Sequence, residues 1–557
     1  MRRLVFPLAA VIALAFAMAP PAQASTNARV TRDSTKGSYL RYNGTSDPTT
    51  RACSTGRRQQ NEPAVAVDPH NTSVVTAGSN DYCAVIVNGD AWPGYYRSTD
   101  GGSTWHDSLV PGYPADTSPA GLASPVHGFC GAAGDPTQAF DSSGRLFYGF
   151  ICFNRSQPVN GSVFVSTYGG DGATYRRTSL VAKGTSSALF AGLFQDKVNL
   201  TVDQTSGPNS GNVYVAWAQF DGFAPNNTIL FSRSTDHGKS FSAPIRVTHV
   251  VGSAQFADLA VGPDGAVYLT YRTFTFPLPG TNAIWVQKST NGGLSFGAPV
   301  KVATITPFDS NQFSGNGSGD CGDGPFACPS GFTFERFASL SAVAADSAGV
   351  HVVWSGELPG GQAKIFVRNS PDGVSWPTAP STLDSIAVGH QWFPDIASSG
   401  GVITVVFYDS RNDPARSPAL PPGDTSSGTN SGGAVDTFIA QSTDGGASWS
   451  ESRVSTVSSN FDWETHGSVR IPFWGDYIYV SSVQGATNVA WTDSRKLVAG
   501  SDPRETGSSD DHDGFDGFQT CTWSPNDINA TSYTSPSPSD PCLSKGGLDQ
   551  NIYAARI

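Results

Sequence analysis

The 557-residue sequence predicts an all-β fold, a seven-bladed β-propeller closed by its N-terminal strand, with six blades as the alternative. Two observations carry this. A short segment of the form Ser-Thr-Asp-Gly-Gly-x-Ser-aromatic recurs along the chain, and between its copies short apolar runs alternate with Gly/Asp/Ser turns, four strands to a unit. Composition agrees: 61 Gly and 38 Pro suit many tight turns and exclude long helices, while 11% aromatic residues exclude disorder.

The elements follow in order. Arg2 and Arg3, the apolar run 4–19 and the small-residue site Ala22-Gln23-Ala24 have the layout of a secretory signal peptide, so residues 1–24 are expected to be removed and 25–557 to form a single secreted domain. First strands are read at 64–68, 137–141, 199–203, 259–262, 340–343, 395–398 and 477–480, which makes seven units. Second strands follow a Gly/Asp/Ser turn, as at 213–217, 350–354 and 488–491. The recurring segments at 98–105, 234–241, 289–296, 370–376 and 442–449, with a degenerate copy at 167–175, join third to fourth strands: Asp or Asn bonds turn amides, Gly supplies positive φ, and the aromatic packs on the sheet. The last unit stops at a third strand, 551–557, and residues 28–31 resemble the outer strand 245–248, so the N-terminus is expected to supply the missing strand.

A net charge of −12 disfavours nucleic acid and anionic membrane as partners, and no second apolar run is long enough to span a bilayer. The eight cysteines are read as disulfides between sequence neighbours. No cofactor is required on this reading, and the expected state is a monomer. An acidic loop with Asp511, Asp513 and Asp516 is the candidate calcium site, although it lacks the twelve-residue spacing with a terminal Glu; a solvated loop is the other reading.

The recurring segments are Asp boxes (BNR repeats), and with their inter-box strands the chain resembles the sialidase superfamily of propeller proteins. The resemblance implies a retaining exo-glycosidase with a Tyr nucleophile activated by a Glu, an Asp acid/base, and arginines clamping a substrate carboxylate. Arg470-Ile471-Pro472 matches the letters of that family's arginine motif but lies after the last box instead of before the first. Fold does not fix function, so a non-catalytic propeller binding protein or polysaccharide, and a polysaccharide lyase, stand as alternatives.

Propeller geometry puts the box turns on one face and the long insertions (107–134, 304–335, 409–434, 454–474 and 496–549) on the other, where glycan contacts are expected. Acids at the start of the first strands point to that face: Glu62, Asp135, Asp196, Asp258, Asp395 and Asp476. Glu62, Asp135, Asp395 and Asp476, with Glu335, are the catalytic candidates, since neighbouring carboxyls push their pKa values apart. The competing reading is that each acid bonds the backbone of the adjacent blade. Arg336, Arg470, Arg411, Arg495 and Tyr408 are the substrate-binding candidates; the matching Asp409-Ser410-Arg411 and Asp493-Ser494-Arg495 also read as repeated ion pairs.

Overall fold

The computed structural model describes residues 26–495 and 550–557, apart from 32–37, 55–58, 85–89, 188–190, 223–226, 249–252, 275–279, 309–331, 334–336, 385, 387, 414–415, 417–423, 426–434, 460–462 and 467–468. Seven four-stranded antiparallel sheets follow one another. Blade 1 comprises Gln60–Val67, Val75–Asp81, Trp92–Ser98 and His106–Leu109; blade 2, Ala132–Phe140, Leu146–Phe153, Ser162–Gly169 and Thr174–Ala182. Blades 3 to 6 have first strands Leu193–Val202, Ala254–Val261, Ser341–Asp346 and Gln391–Ser399. Blade 7 takes Tyr479–Val483, Ala486–Asp493 and Asn551–Arg556 from the end of the chain, and its outermost strand is Ala28–Arg29, which pairs with Tyr553 and Ala554. First strands contact one another in ring order and blade 7 contacts blade 1, so the sheets form a closed propeller.

Each blade is apolar on both faces because it is sandwiched between neighbours, and the buried side chains fall into clusters at the blade junctions. Val163, Val165, Leu200 and Trp217 fill the space between blades 2 and 3, and Tyr214, Phe231, Leu259 and Tyr271 that between blades 3 and 4. The turns after the third strands are held by side chains. In the turn at 98–105, Ser98 Oγ accepts from Gly102 N–H at 2.9 Å and donates to Asp100 at 2.7 Å, and Asp100 accepts from Thr104 N–H at 2.9 Å. Ser234, Asp236 and Ser240 repeat the pattern. Third-strand cations then reach the next blade's turn: Arg97 donates to the carbonyl of Asp171, and Arg233 to that of Gly292.

Among the described residues, the disulfides Cys53–Cys83 and Cys130–Cys152 join sequence neighbours. Among the described residues no helix is long and apolar enough to cross a membrane.

Candidate functional site

The first strands of five blades share a local irregularity where they begin. The ladder skips a step at Asn61/Ala64, Gly134/Thr137, Asp196/Asn199, Gln255/Asp258 and Trp392/Asp395. Inside each bulge one non-glycine residue has positive φ: Glu62 at 53°, Asp135 at 55°, Lys197 at 49°, Phe256 at 58° and Phe393 at 49°. Such a backbone costs on the order of 1–3 kcal/mol per residue and persists only where the surroundings over-determine it. A bulge re-aims side chains, and three of these bulges gather Glu62, Asp135 and Asp196 with the ammonium of Lys197 at the axis, beside Asp476 of the last blade.

Glu62 is at the centre. Its Oε2 accepts from Tyr477 Oη at 3.2 Å and from Asn80 Nδ2 at 2.8 Å, and its Oε1 from the backbone N–H of Asp476 at 3.2 Å. Asp135 hydrogen-bonds the same carboxyl. On its far side Asp135 bonds Asp196 and accepts from the N–H of Lys197 at 2.9 Å. Lys197 lays its ammonium 3.0 Å from the centre of the Tyr477 ring. Gly475 permits the close passage of the last blade, because a Cβ there would lie 2.4 Å from Cγ of Glu62.

Burial and like charge set the protonation. Glu62 is pushed well above the usual carboxyl range by desolvation, then by Asp135 and Asp476, with Lys197 opposing. Asp196 rises to about 8 by desolvation and the neighbouring Asp135. Desolvation lowers Lys197 against the pull of the four acids. Neighbouring acids that cannot all ionise hold protons in common. The cluster therefore keeps protonated carboxyls beside hydrogen-bond acceptors near neutral pH, which is what proton transfer to a leaving group needs.

Asp258 and Asp395 also face the axis. Asp258 accepts from Val343 N–H at 2.7 Å and Asn199 Nδ2 at 2.8 Å, and Asp395 from Val480 N–H at 2.7 Å. Each clips its own blade to another one and lines an axial cavity of about 380 Å³ that runs on past Val67, Thr205 and Ser398, residues near the box-turn ends of the first strands. Asp395 shares the field of Lys197 with the Glu62 group, while its own hydrogen bond runs to the last blade. The bulge explains it: Asp395 follows the positive-φ residue by two positions, whereas Glu62 and Asp135 occupy that position themselves.

The arginine and tyrosine candidates on the strand ends have partners of their own. Arg411 donates to Asp409 at 2.5 Å and pairs with Asp384 and Glu451, lying over the Phe438 ring. Arg495 pairs with Asp493 at 2.7 Å and lies over Tyr553. Both guanidinium forks are occupied within the blades because each Arg sits two residues beyond its carboxylate. Tyr408 is 1% exposed, and its hydroxyl is bonded to the backbone of Thr492, so it is a core residue between blades 6 and 7. Arg470 lies in a hairpin, Trp463–His466 with Val469–Pro472, whose side chains are outside the described residues. Glu335, Arg336, Asp511, Asp513 and Asp516 also lie outside them.

Lys197 and Tyr477 were not singled out from sequence. Strict alternation aims Lys197 away from Asp196, and only the bulge turns it to the axis. The available signal was Glu62-Pro63, Asp135-Pro136 and Phe393-Pro394, since proline inside a strand is confined to edges, first residues and bulges.

Fold and site define a seven-bladed propeller with an acid-rich axis. No protein-family model matches the sequence, and no curated protein does. Among solved structures the chain is similar to an alpha-L-arabinofuranosidase from Fusarium graminearum, with 15% identity over 68% of this chain and 92% of that one at a TM-score of 0.40. It is also similar to the intramolecular trans-sialidase of Ruminococcus gnavus, with 12% identity over 63% and 90% at a TM-score of 0.38. A third is the Penicillium chrysogenum alpha-L-arabinanase complexed with arabinobiose, with 13% identity over 63% and 89% at a TM-score of 0.37.

Proposed function

We propose that the protein is a secreted exo-glycosidase of the retaining, tyrosine-nucleophile type, acting at the loop-face end of the axis. One observation carries the reading: Tyr477 Oη donates to Glu62 Oε2 at 3.2 Å while Asp135 shares the same carboxyl. Glu62 and Asp135 share one proton through their hydrogen bond, and in the arrangement that reacts it lies on the Asp135 side, so that Glu62 takes the proton of Tyr477 as Oη attacks the anomeric carbon and Asp135 protonates the departing glycosidic oxygen. In the second half a water gives its proton to Asp135 and attacks the same carbon, the bond to Oη breaks, and Glu62 returns the proton to Tyr477. An anionic terminal sugar such as a sialic acid further requires a cationic clamp, for which Arg336 and Arg470 are the candidates. Two disulfides suit an oxidising, extracellular setting.

A second reading has its own support. Glu62, Asp135, Asp258 and Asp395 each accept a backbone N–H from another blade, so the acids also serve as staples in a glycan-binding propeller without catalysis. A panel of fluorogenic glycosides, sialoside and neutral, separates the two. Turnover abolished in Tyr477→Phe and Glu62→Gln, with a fluorosugar adduct on Tyr477 by mass spectrometry, supports hydrolysis. Glycan binding with no turnover from pH 4 to 8 overturns it. Turnover of neutral sugars alone removes the arginine clamp and leaves the hydrolase.

A further inference from the structure

On the box-turn face, away from the axial cluster, the end of blade 1's first strand meets the turn between the third and fourth strands of blade 2. Asp68 closes that strand, His70 follows in the turn, and Asp171 comes from blade 2. His70 Nδ1 lies 3.0 Å from Asp171 Oδ1, and His70 N–H donates to Asp68 Oδ1 at 2.8 Å. One ligand atom from each of the three lies within 4.8 Å of the others, and among the described residues this is the one such group. Asp68 is fully buried, yet its Oδ2 has no hydrogen-bond partner. A buried carboxylate oxygen left unpaired beside a second carboxylate is costly unless something positive answers it.

The backbone makes room for this approach. Gly144, at φ +74°, sits under the pair: a Cβ there would lie 2.1 Å from Asp171 Oδ1 and 3.3 Å from Asp68 Oδ2. At the next junction, between blades 2 and 3, the corresponding Asp141 is answered within its own blade by Arg145 at 3.0 Å, with His237 Nδ1 4.0 Å away. Asp68 meets a second acid and an imidazole instead.

We propose that Asp68, His70 and Asp171 bind one divalent cation of the zinc class and that the ion pins blade 1 to blade 2. An imidazole with two carboxylates suits zinc or a similar borderline cation, whereas calcium and magnesium prefer all-oxygen shells. Ligand atoms around one zinc lie about 3–4 Å apart, so a small side-chain movement closes the set. The His70 side chain is 59% exposed, which leaves coordination positions to water. Because the ion binds the folded ring and not the open chain, it stabilises the protein by mass action.

The test uses the full chain after chelator treatment, titrated separately with zinc, manganese, calcium and magnesium chlorides by calorimetry and thermal melting. One equivalent of zinc bound, with a higher melting temperature, is expected, and no saturable binding of calcium or magnesium. His70→Ala and Asp171→Asn are expected to weaken zinc binding at least about tenfold while remaining folded. Gly144→Ala gives a further check, because it crowds both carboxylates without removing a ligand. Saturable binding of calcium instead of zinc, no binding, or an unchanged zinc affinity in both His70→Ala and Asp171→Asn overturns the site.

Discussion

Tyr477 and Glu62, 3.2 Å apart, join the last blade to the first at the axis, and the ammonium of Lys197 lies over the tyrosine ring. The contact is built by residues from three blades, so the group exists only in the closed ring. Its charge balance depends on Lys197, the cation that opposes the repulsion among the axial acids.

Replacing that cation is therefore expected to hurt most where the acids ionise. Lys197→Met keeps the apolar stem on Tyr477 and removes the charge. We predict a loss of about 3 kcal/mol at pH 8 and a much smaller one at pH 5, read from urea denaturation at both pH values. An equal loss at both would show that Lys197 contributes packing alone.

Arg411 gives a contrast. Its guanidinium pairs with Asp409, Asp384 and Glu451, so Arg411→Ala strands three acids in a largely buried place. A stability loss of about 3–5 kcal/mol is expected, with KM for any turned-over glycoside unchanged. A raised KM with unaltered stability would return Arg411 to the substrate site.

These cases show how much was legible. The repeats revealed the blades because every copy must make the same turn, and Ser98 with Asp100 does so through bonds that the letters Ser-Thr-Asp-Gly-Gly encode. The acids at the axis were visible because they recur at the strand starts. Their grouping was not: a bulge shifts the two-residue alternation, bringing Glu62 and Asp135 together with Lys197, while Asp395, two residues past its bulge's positive-φ residue, bonds the last blade instead. Side chains that leave a strand end, such as Arg411 and Arg495, fold back on a carboxylate two residues earlier, and a list of arginines on a face cannot show that.

The N-terminal strand offers a test of the ring. Ala28–Arg29 pairs with the last strand, Val30 N–H donates to Ile552 at 2.8 Å, and Asn27 bonds Val454, Thr456 and Arg495 of blades 6 and 7. Deleting residues 25–31 exposes an edge of blade 7 and unties it from blade 6. A melting temperature lower by roughly 2–3 °C is expected, from a loss on the order of 2–3 kcal/mol in a chain this long. An unchanged melting temperature would mean that the strand adds nothing to closure.

Acidity should show in the stability of the whole domain. Asp196 rises to about 8, Glu451 to about 7 and Asp258 to about 6, in each case chiefly by desolvation. Such groups stay protonated in the folded state while the unfolded chain ionises, so their contribution is lost as pH climbs from about 4 toward their folded values, at roughly 1.4 kcal/mol per pH unit for each. The turn aspartates behave oppositely. Asp372 is held at about 2 by the N–H groups of Ser375 and Val374, and Asp100 and Asp236 reach about 2 as turn hydrogen bonds outweigh desolvation. Their contribution is present above about 4 and lost as pH falls toward 2, and their exposure keeps that limb shallow. Thermal melting from pH 2.5 to 9 is therefore expected to peak near pH 5 and to fall more steeply on the alkaline side. Asp196→Asn, which cannot ionise, should flatten the alkaline limb and raise the melting temperature at pH 8 relative to the parent protein. A plateau from pH 5 to 9 in the parent, or an alkaline limb untouched by Asp196→Asn, would show that the axial acids ionise freely and hold no shared proton.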